Sequence, residues 1–347
     1  MPQDPNDALA RSVRSFPARM FYLFGPQFPP ALSGVDGAID LHCHAHEGQQ
    51  DALALAKFAS LSGMAGILFK TIVGRPGPVE AVREVEDALA PWAEAASVAP
   101  VRVFAGCMSG PDWSISPDYV RRQLELGAAA VWLPVINHAN TLEKVGGRTV
   151  MWDADAHPDD YQGPMIPYKA ERIGHRLLDE HGRLLPNFSE IVRMVADHGA
   201  ALFFGHATHD EISVLAEEVE RLGITQAVID HPFSPFVDLD VARMTELAGA
   251  GITFNFTFDE LSPALGIDPG RMVDAICAVG PAHCTLSSDA GDALFPHSVE
   301  CMRLMRAYMS AYGMTDAEVE EMSCTNPARI LGSKWPTART ARVSAAE

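Results

Sequence analysis

The sequence predicts a (β/α)8 TIM-type barrel with a long insert after the fourth strand. Eight short apolar runs recur along the chain, and each is followed by a stretch with the period of an amphipathic helix. Continuously apolar strands separated by helices are typical of a parallel sheet that is covered on both faces. No glycine-rich phosphate-binding fingerprint follows any of these runs, which disfavours an open doubly wound sheet.

The strands are expected at regular intervals from residue 37 onward. They lie at residues 37–44, 65–73, 101–108, 128–136, 200–207, 226–233, 251–258 and 284–289. Helices are expected near residues 51–62, 78–96, 117–126, 188–198, 210–222, 238–248, 271–279, 298–311 and 316–323. Eight such units in about 300 residues are the size of one barrel domain.

The barrel is expected to span residues 37–333, with additions at both ends and one internal insert. Residues 1–36 are rich in proline, glycine and aromatic side chains, and they predict an arm that packs on the barrel or on a second subunit of a homo-oligomer. Residues 334–347 form a C-terminal tail. Residues 139–187 form a connection whose length and aromatic content predict a lid over the barrel mouth.

Composition excludes several classes of partner. The chain has 347 residues and a net charge of −19, so nucleic acid and anionic membrane surfaces are not expected to bind it. The N-terminus has no apolar segment typical of a secretory signal. The six cysteines are scattered without a paired spacing, which predicts reduced thiols in the cytoplasm. The expected partner is a small-molecule substrate.

Residues 38–46 are the most informative stretch, because an apolar run ends there in a histidine cluster. Side chains alternate between two faces of a strand, so Asp40, His42 and His44 are expected to share one face. Two imidazoles placed two residues apart on one face can reach a single metal ion. Imidazole is a common ligand of zinc and similar divalent ions.

Further polar side chains fall at the ends of other predicted strands. Lys70 follows the apolar part of the second strand, His206 ends the fifth, His231 ends the sixth and Asp289 ends the eighth. Barrel enzymes carry their sites at the C-terminal ends of the strands. We therefore expect these four side chains to meet the histidine pair of the first strand.

This ordered pattern resembles the amidohydrolase superfamily of metal-dependent hydrolases. The resemblance extends from Ala38 to the segment at residues 326–332, and it is closest to a bacterial branch that carries a lysine after the second strand. It implies that His42 and His44 bind a first metal with Asp289 beside them. His206 and His231 then bind a second metal, or one of them orients the substrate.

The resemblance also implies a role for each remaining group. The metal would be zinc, with manganese, iron or cobalt as alternatives, in one or two copies. Asp289 would be the general base that takes a proton from a metal-activated water. Independently of the resemblance, strand alternation places Asp40 on the face of the two histidines, where we expect it to support an imidazole from behind and hold it in its tautomer; a cap at the start of the strand is the alternative.

Lys70 marks a departure from the family pattern. Binuclear members take a bridging carbamylated lysine from the fourth strand, and the fourth strand here ends without lysine or glutamate. Two interpretations stay open. Lys70 either carries a carbamate that bridges two metals from the second strand, or its ammonium contacts a substrate oxygen beside a single metal.

Three residues of the fourth connection are candidates for substrate binding. His138 follows the fourth strand, and Trp152 and Lys169 lie within the predicted lid. The leading function is hydrolysis of a C–N or C–O bond in an amide, cyclic amide, lactone or ester. A metal-dependent decarboxylase and a phosphoesterase on the same barrel are the alternatives, because substrate choice depends on the loops.

Overall fold

Eight parallel strands form one sheet in the order β1 to β8, with helices between successive strands. The computed structural model describes residues 34–45, 50–72, 77–111, 114–144, 174–263, 265–291 and 295–335. The strands are β1 (Ile39–Ala45), β2 (Gly66–Ile72), β3 (Arg102–Met108), β4 (Ala130–Trp132), β5 (Ala201–Phe203), β6 (Ala227–Asp230), β7 (Thr253–Thr257) and β8 (Cys284–Ser287). The predicted (β/α)8 barrel is confirmed.

Each predicted helix is present, and the structure adds two short helices that were not predicted, at Ala139–Lys144 and Phe258–Leu261. The helices are α1 (Ala52–Leu61), α2 (Pro78–Ala96), α3 (Pro117–Leu126), α4 (Ala139–Lys144), α5 (Pro186–His198), α6 (His209–Leu222), α7 (Val241–Gly249), α8 (Phe258–Leu261), α9 (Pro269–Val279), α10 (Ser298–Ala311), α11 (Asp316–Glu320) and α12 (Asn326–Leu331). A π-helical turn at Glu321–Thr325 joins the last two. Local sequence explains several boundaries: in α6, Thr208 and Glu211 form a capping box at the start and Gly223 ends the helix in a left-handed conformation.

The barrel closes where β8 meets β1, immediately beside the histidine pair. The backbone N–H of His44 donates to the carbonyl of Ala290, and that of Asp289 donates to the carbonyl of His42, both at 2.8 Å. These bonds join the C-terminal ends of the two strands. Closure therefore holds the first and last strand ends together at the barrel mouth.

Buried apolar side chains form two layers, one inside the barrel and one between the strands and the helices. The inner layer includes Ile39, Leu41, Leu68, Trp132 and Phe203. The indole of Trp132 stacks on the ring of Phe203 at a centroid distance of 4.0 Å. The barrel interior is therefore a packed core, and the polar groups concentrate towards its upper end.

The long connection after β4 is described only at its two ends. It includes α4 on one side and residues 174–185 on the other, with a bridge between His138 and His175. The predicted lid residues Trp152 and Lys169 lie outside the described residues, as does most of the predicted N-terminal arm. Within the described ranges, no helix is both long and apolar enough to cross a membrane. All six cysteines are free thiols.

Candidate metal centre

Three side chains from three strand ends converge at the barrel mouth. The candidate ligand atoms of His42, His231 and Asp289 all lie within 4.8 Å of one another. His42 Nε2 is 3.0 Å from Asp289 Oδ1, and the ring centroids of His42 and His231 are 5.9 Å apart. Two imidazoles and one carboxylate at this spacing are a ligand set for a divalent transition metal.

The other predicted ligands border the same group. His44 Nε2 lies 3.2 Å from Asp289 Oδ1, and Lys70 Nζ lies 3.0 Å from His42 Nε2. The ring of His206 contacts the ring of His231 at a centroid distance of 5.2 Å. The structure therefore brings together all six residues that the sequence predicted as ligands.

The backbone at these strand ends is unusual, and it explains how neighbouring side chains reach the mouth. His231 and Asp289 have positive φ angles of 34° and 51°, and Gly205, which precedes His206, has a φ of 63°. Positive φ costs free energy in residues other than glycine and is found often at functional sites. Each of these strands turns sharply at the point where its polar side chain enters the mouth.

Gly205 is required by space as well as by conformation. A Cβ at this position would lie 2.3 Å from the carbonyl oxygen of Pro134 and 2.5 Å from that of Leu133. Both obstacles are backbone atoms, which cannot move aside without shifting the end of β4. We expect Gly205→Ala to lower the free energy of unfolding by about 3 kcal/mol and to weaken metal binding, because it displaces His206.

Gly223→Ala is the matched control for this prediction. Gly223 also has a positive φ, 69°, but it lies at the end of α6, where a Cβ would meet no neighbouring atom within 4 Å. This variant should cost only the conformational penalty of about 1 kcal/mol and leave metal binding unchanged. Urea unfolding and metal titration measure both effects, and equal losses in the two variants would contradict the steric explanation.

The Nδ1 atom of each of the four histidines faces the side-chain oxygen of a neighbouring residue. His44 Nδ1 is 2.7 Å from Thr71 Oγ1, and His231 Nδ1 is 3.1 Å from Ser234 Oγ. His42 Nδ1 is 3.2 Å from Asp230 Oδ1. Engagement of Nδ1 leaves Nε2 as the nitrogen that faces the mouth, which is how metal-binding histidines are commonly oriented.

The tautomer of His206 follows from its neighbour. His206 Nδ1 lies 2.7 Å from the hydroxyl oxygen of Thr141, and that hydroxyl donates its single proton to the carbonyl of Val135 at 2.8 Å. Thr141 must therefore accept a proton from His206 Nδ1–H. The Nε2 atom of neutral His206 then carries a lone pair.

The protonation states of the histidines and of Asp289 also favour binding of a cation. Burial lowers the pKa of His44 and His231 to about 4 and lowers the pKa of His206 well below its ordinary value. Although burial raises the pKa of Asp289, its histidine neighbours hold that pKa well below the ordinary range. Three neutral imidazoles and one carboxylate are thus present at neutral pH, as a divalent metal requires.

His42 differs because it lies between two carboxylates. Burial lowers its pKa, but the charges of Asp230 and Asp289 outweigh burial and raise the pKa to about 9. Without a cation, His42 carries a proton that balances this negative charge. Since a ligand imidazole must be deprotonated, a metal ion would take the place of that proton.

Asp259 is a candidate functional residue that the sequence patterns did not identify. It lies in α8, directly after β7, and its side chain is only partly buried. Burial and the charge of Asp289 raise its pKa to about 7, while Thr257 Oγ1 donates to its carboxylate at 3.0 Å. Its place at a strand end is the signal that could have identified it, as it did for the predicted ligands.

The predicted role of Asp40 is wrong. Its carboxylate accepts hydrogen bonds from the hydroxyls of Ser288 and Ser298 and from the backbone N–H of His42. The register of β1 against β2 is irregular between Asp40 and Cys43, so strict alternation fails there. Asp40 consequently faces α10 and ties β1 to β8, and the carboxylate beside the His42 imidazole is that of Asp230.

The predicted substrate contact of His138 is also contradicted. The side chain is 1 % exposed, Nε2 lies 3.0 Å from Glu211 Oε2, and Nδ1 accepts a hydrogen bond from the N–H of Asn140. Nδ1 is therefore hydrogen-bonded, and Nε2 lies at ion-pair distance from a carboxylate, within the protein. His138 links the loop after β4 to the start of α6.

Glu211 is the anionic partner in this link, and it predicts a pH-dependent contribution to stability. Burial raises its pKa, but His138 and the N–H groups of Thr208 and Leu177 outweigh burial and lower the pKa to about 2. A lowered pKa adds stability above the ordinary value of 4.5, and this stability is lost as the pH falls towards 2. We expect Glu211→Gln to cost about 2 kcal/mol at neutral pH and progressively less in acid.

Glu318→Gln provides the control. Glu318 occupies the same position in a capping box with Thr315, where it accepts from the N–H and hydroxyl of that residue, but it is only half-buried and has no histidine partner among the described contacts. Glu318→Gln should therefore lower the free energy of unfolding only slightly at every pH. Urea unfolding at neutral pH and in acid gives the comparison, and a pH-independent loss in Glu211→Gln would contradict the assignment.

Comparisons with known proteins agree with this architecture. Residues 37–255 match a family of unknown function, DUF6282. A search of curated proteins gave no match. An amidohydrolase from Pseudomonas aeruginosa is 12% identical with a TM-score of 0.58, and the alignment covers 89% of this chain and 99% of that one.

Two dipeptidases have similar structures. The beta-aspartyl dipeptidase from Fervidobacterium islandicum AW-1 is 16% identical with a TM-score of 0.53, over 85% of this chain and 74% of that one. The probable dipeptidase PvdM from Pseudomonas aeruginosa is 14% identical with a TM-score of 0.53, over 88% and 96%. At these identities the likeness establishes the fold, and the predicted resemblance is confirmed at that level. The chain belongs to the DUF6282 family and has the barrel fold of amidohydrolase-superfamily structures.

Proposed function

We propose that the protein is a metal-dependent hydrolase that cleaves a C–N or C–O bond of a small molecule. The substrate class includes amides, cyclic amides, lactones and esters. The observation that carries the proposal is the group of His42, His231 and Asp289, whose ligand atoms lie within 4.8 Å at the barrel mouth. The shared fold with an amidohydrolase and two dipeptidases supports the same reaction class.

The residues of the centre have distinct roles in this proposal. His42, His44, His206 and His231 would hold one or two divalent ions through Nε2, because their Nδ1 atoms face other side chains. A bound divalent ion polarises the scissile carbonyl and lowers the pKa of water from about 15.7 towards about 7. We favour zinc, since the set is rich in imidazole.

Asp289 moves the proton. Its Oδ1 is in reach of the Nε2 atoms of both His42 and His44, and 16 % of its side chain is exposed to the mouth. The carboxylate accepts a proton from the attacking water while the water oxygen bonds to the carbonyl carbon. It then returns the proton to the nitrogen or oxygen that leaves as the C–N or C–O bond breaks.

We further propose that Lys70 acts as a carbamate. The ammonium first loses one proton; the neutral amine then adds to the carbon of carbon dioxide and loses a second proton, so that an anionic group with two oxygen donors replaces the cation. The supporting observation is that Nζ lies 3.0 Å from His42 Nε2, where an ammonium would compete with a metal ion. Six free thiols and the net charge of −19 support a cytoplasmic enzyme that acts on small molecules rather than nucleic acid.

The test measures metal content first and activity second. Protein purified without chelator is analysed by plasma mass spectrometry, and the zinc-loaded form is screened against amides, cyclic amides, lactones, esters and phosphate esters. Stoichiometric metal together with hydrolysis of a carbonyl substrate supports the proposal. A protein that binds no divalent metal, or that hydrolyses only phosphate esters, would overturn it.

A further inference from the structure

Beneath the metal centre lies a chain of buried polar groups that crosses the barrel. It consists of Trp132 on β4, Asp230 on β6, Asn255 on β7 and two hydroxyl residues on β8, Thr285 and Ser287. All five are at most 1 % exposed. Polar groups inside an otherwise apolar barrel core cost free energy unless they are fully hydrogen-bonded, so their arrangement calls for an explanation.

The proton in each hydrogen bond of the chain has a fixed direction. Asn255 Oδ1 accepts from Thr285 Oγ1 at 2.8 Å and from Ser287 Oγ at 2.7 Å. The Ser287 hydroxyl accepts from the N–H of Leu41 at 3.2 Å, which leaves its one proton for Asn255. The amide of Asn255 is thereby oriented with Nδ2 towards Asp230, to which it donates at 2.7 Å.

The groups that hydrogen-bond to the Asp230 carboxylate are therefore all donors. Trp132 Nε1, which can only donate, lies 2.7 Å from Oδ2, and Asn255 Nδ2 occupies Oδ1. His42 Nδ1 approaches the same Oδ1 at 3.2 Å, an ion-pair distance, although the ring is not aligned for a regular hydrogen bond. A carboxylate surrounded in this way has no proton to give, so His42 Nδ1 must be the protonated nitrogen.

The backbone at the end of β6 makes this contact possible. In a regular strand, Asp230 and His231 would face opposite sides of the sheet. The positive φ of His231 breaks the alternation, so that both side chains enter the barrel: Asp230 beneath His42 and His231 beside it. Gly106 on β3 also contributes, because a Cβ there would lie 2.3 Å from Cζ3 of Trp132.

We propose that Asp230 is a positioning residue that holds the His42 imidazole in the tautomer that can bind a metal. Acting through Nδ1, it keeps the Nε2 lone pair directed at the metal, and the chain from β7 and β8 keeps Asp230 in the accepting state. This inference rests on the proposed metal centre and adds to it a determinant of affinity that lies outside the ligand set. Residues that orient ligand histidines typically change metal affinity by about 10- to 100-fold.

The decisive variant is Asp230→Asn, which keeps the size of the side chain but changes its polarity. One amide oxygen cannot accept from Trp132, Asn255 and His42 together, and an amide N–H that faces His42 would force the proton onto Nε2. We expect zinc to bind about 10- to 100-fold more weakly. We also expect the Nδ1–H signal of His42 to disappear from the 15N NMR spectrum of the histidine-labelled variant in the presence of zinc, because a His42 protonated at Nε2 is no longer bound to the metal; His42→Asn identifies that signal.

Asp40→Asn is the matched control, because Asp40 is an equally buried carboxylate that contacts the backbone N–H of His42 and not its imidazole. This variant should lower the unfolding temperature and leave the Nδ1–H signal in place. Trp132→Phe, which removes one donor to Asp230, should weaken zinc binding less than Asp230→Asn does.

The outcomes distinguish failure of this inference from failure of the proposed function. If wild type binds zinc and Asp230→Asn binds it equally well with the same Nδ1–H signal, Asp230 is only a packing residue and the inference is wrong, while the proposed hydrolase stands. If wild type binds no zinc, the metal centre itself is wrong. If Asp230→Asn does not fold, Trp132→Phe still decides, since an unchanged zinc affinity in that variant would overturn the inference.

Discussion

Replacing Asp289 by asparagine should lower kcat/KM for the hydrolysed substrate by about 10³-fold, within the range that general acid–base groups contribute. The reason is specific to the carboxylate. Its pKa is held well below the ordinary value by its histidine neighbours, so the group is ionised at neutral pH and free to accept a proton. An amide has the same shape but cannot accept a proton, so the reaction would lose its base.

The fall in kcat/KM that comes from losing the base must be separated from any fall that comes from losing the metal. Asp289 Oδ1 also borders the Nε2 atoms of His42 and His44, so the variant is expected to bind zinc more weakly as well. Assays at saturating zinc, with metal content measured on the same sample, isolate the effect on the proton transfer. Asp118→Asn removes one carboxylate from an exposed position on α3 and should leave kcat/KM unchanged. A fully loaded Asp289→Asn protein with wild-type kcat would show that another group is the base.

The fold could be predicted from sequence because it depends on a repeating pattern. Apolar runs of strand length alternate with amphipathic helices, and a parallel sheet requires both. The convergence of the candidate ligands could be predicted because they come at a similar place in each repeat. His206, His231 and Asp289 lie just beyond the last residues of their strands and His42 lies within β1, and barrel closure brings these parts of the strands together whatever the intervening sequence is.

The errors arose where tertiary contacts override local rules. Alternation placed Asp40 on the face of His42, but the register irregularity after Asp40 turns its carboxylate towards Ser288 and Ser298. His138 follows a strand end as the candidate ligands do, yet its imidazole lies beside a buried glutamate from α6. Neither partner can be found from spacing, because each lies at least 70 residues away in the sequence.

Removing the side chain of Lys70 should reduce the number of bound metal ions. Wild type purified without chelator is expected to hold about two divalent ions per chain and Lys70→Ala one or none, because a carbamate supplies two oxygen donors that bridge a two-metal site. The side chain is 5 % exposed, and burial lowers the pKa of its amine, which favours the neutral form that reacts with carbon dioxide. Activity should fall with the metal content.

Metal content is measured by plasma mass spectrometry, and the modification is observed directly by 13C NMR after growth and purification with labelled bicarbonate. The carbamate signal should be present in wild type and absent from Lys70→Ala. Lys57→Ala is the control. Lys57 lies over the ring of Trp92 on the outside of the barrel, so this variant removes the same positive charge far from the candidate metal centre. One ion in both wild type and Lys70→Ala, without a carbamate signal, would exclude the bridge. Lys70 would then be a cationic contact for a substrate oxygen beside a single metal, and decarboxylation would compete with hydrolysis as the reaction of this barrel.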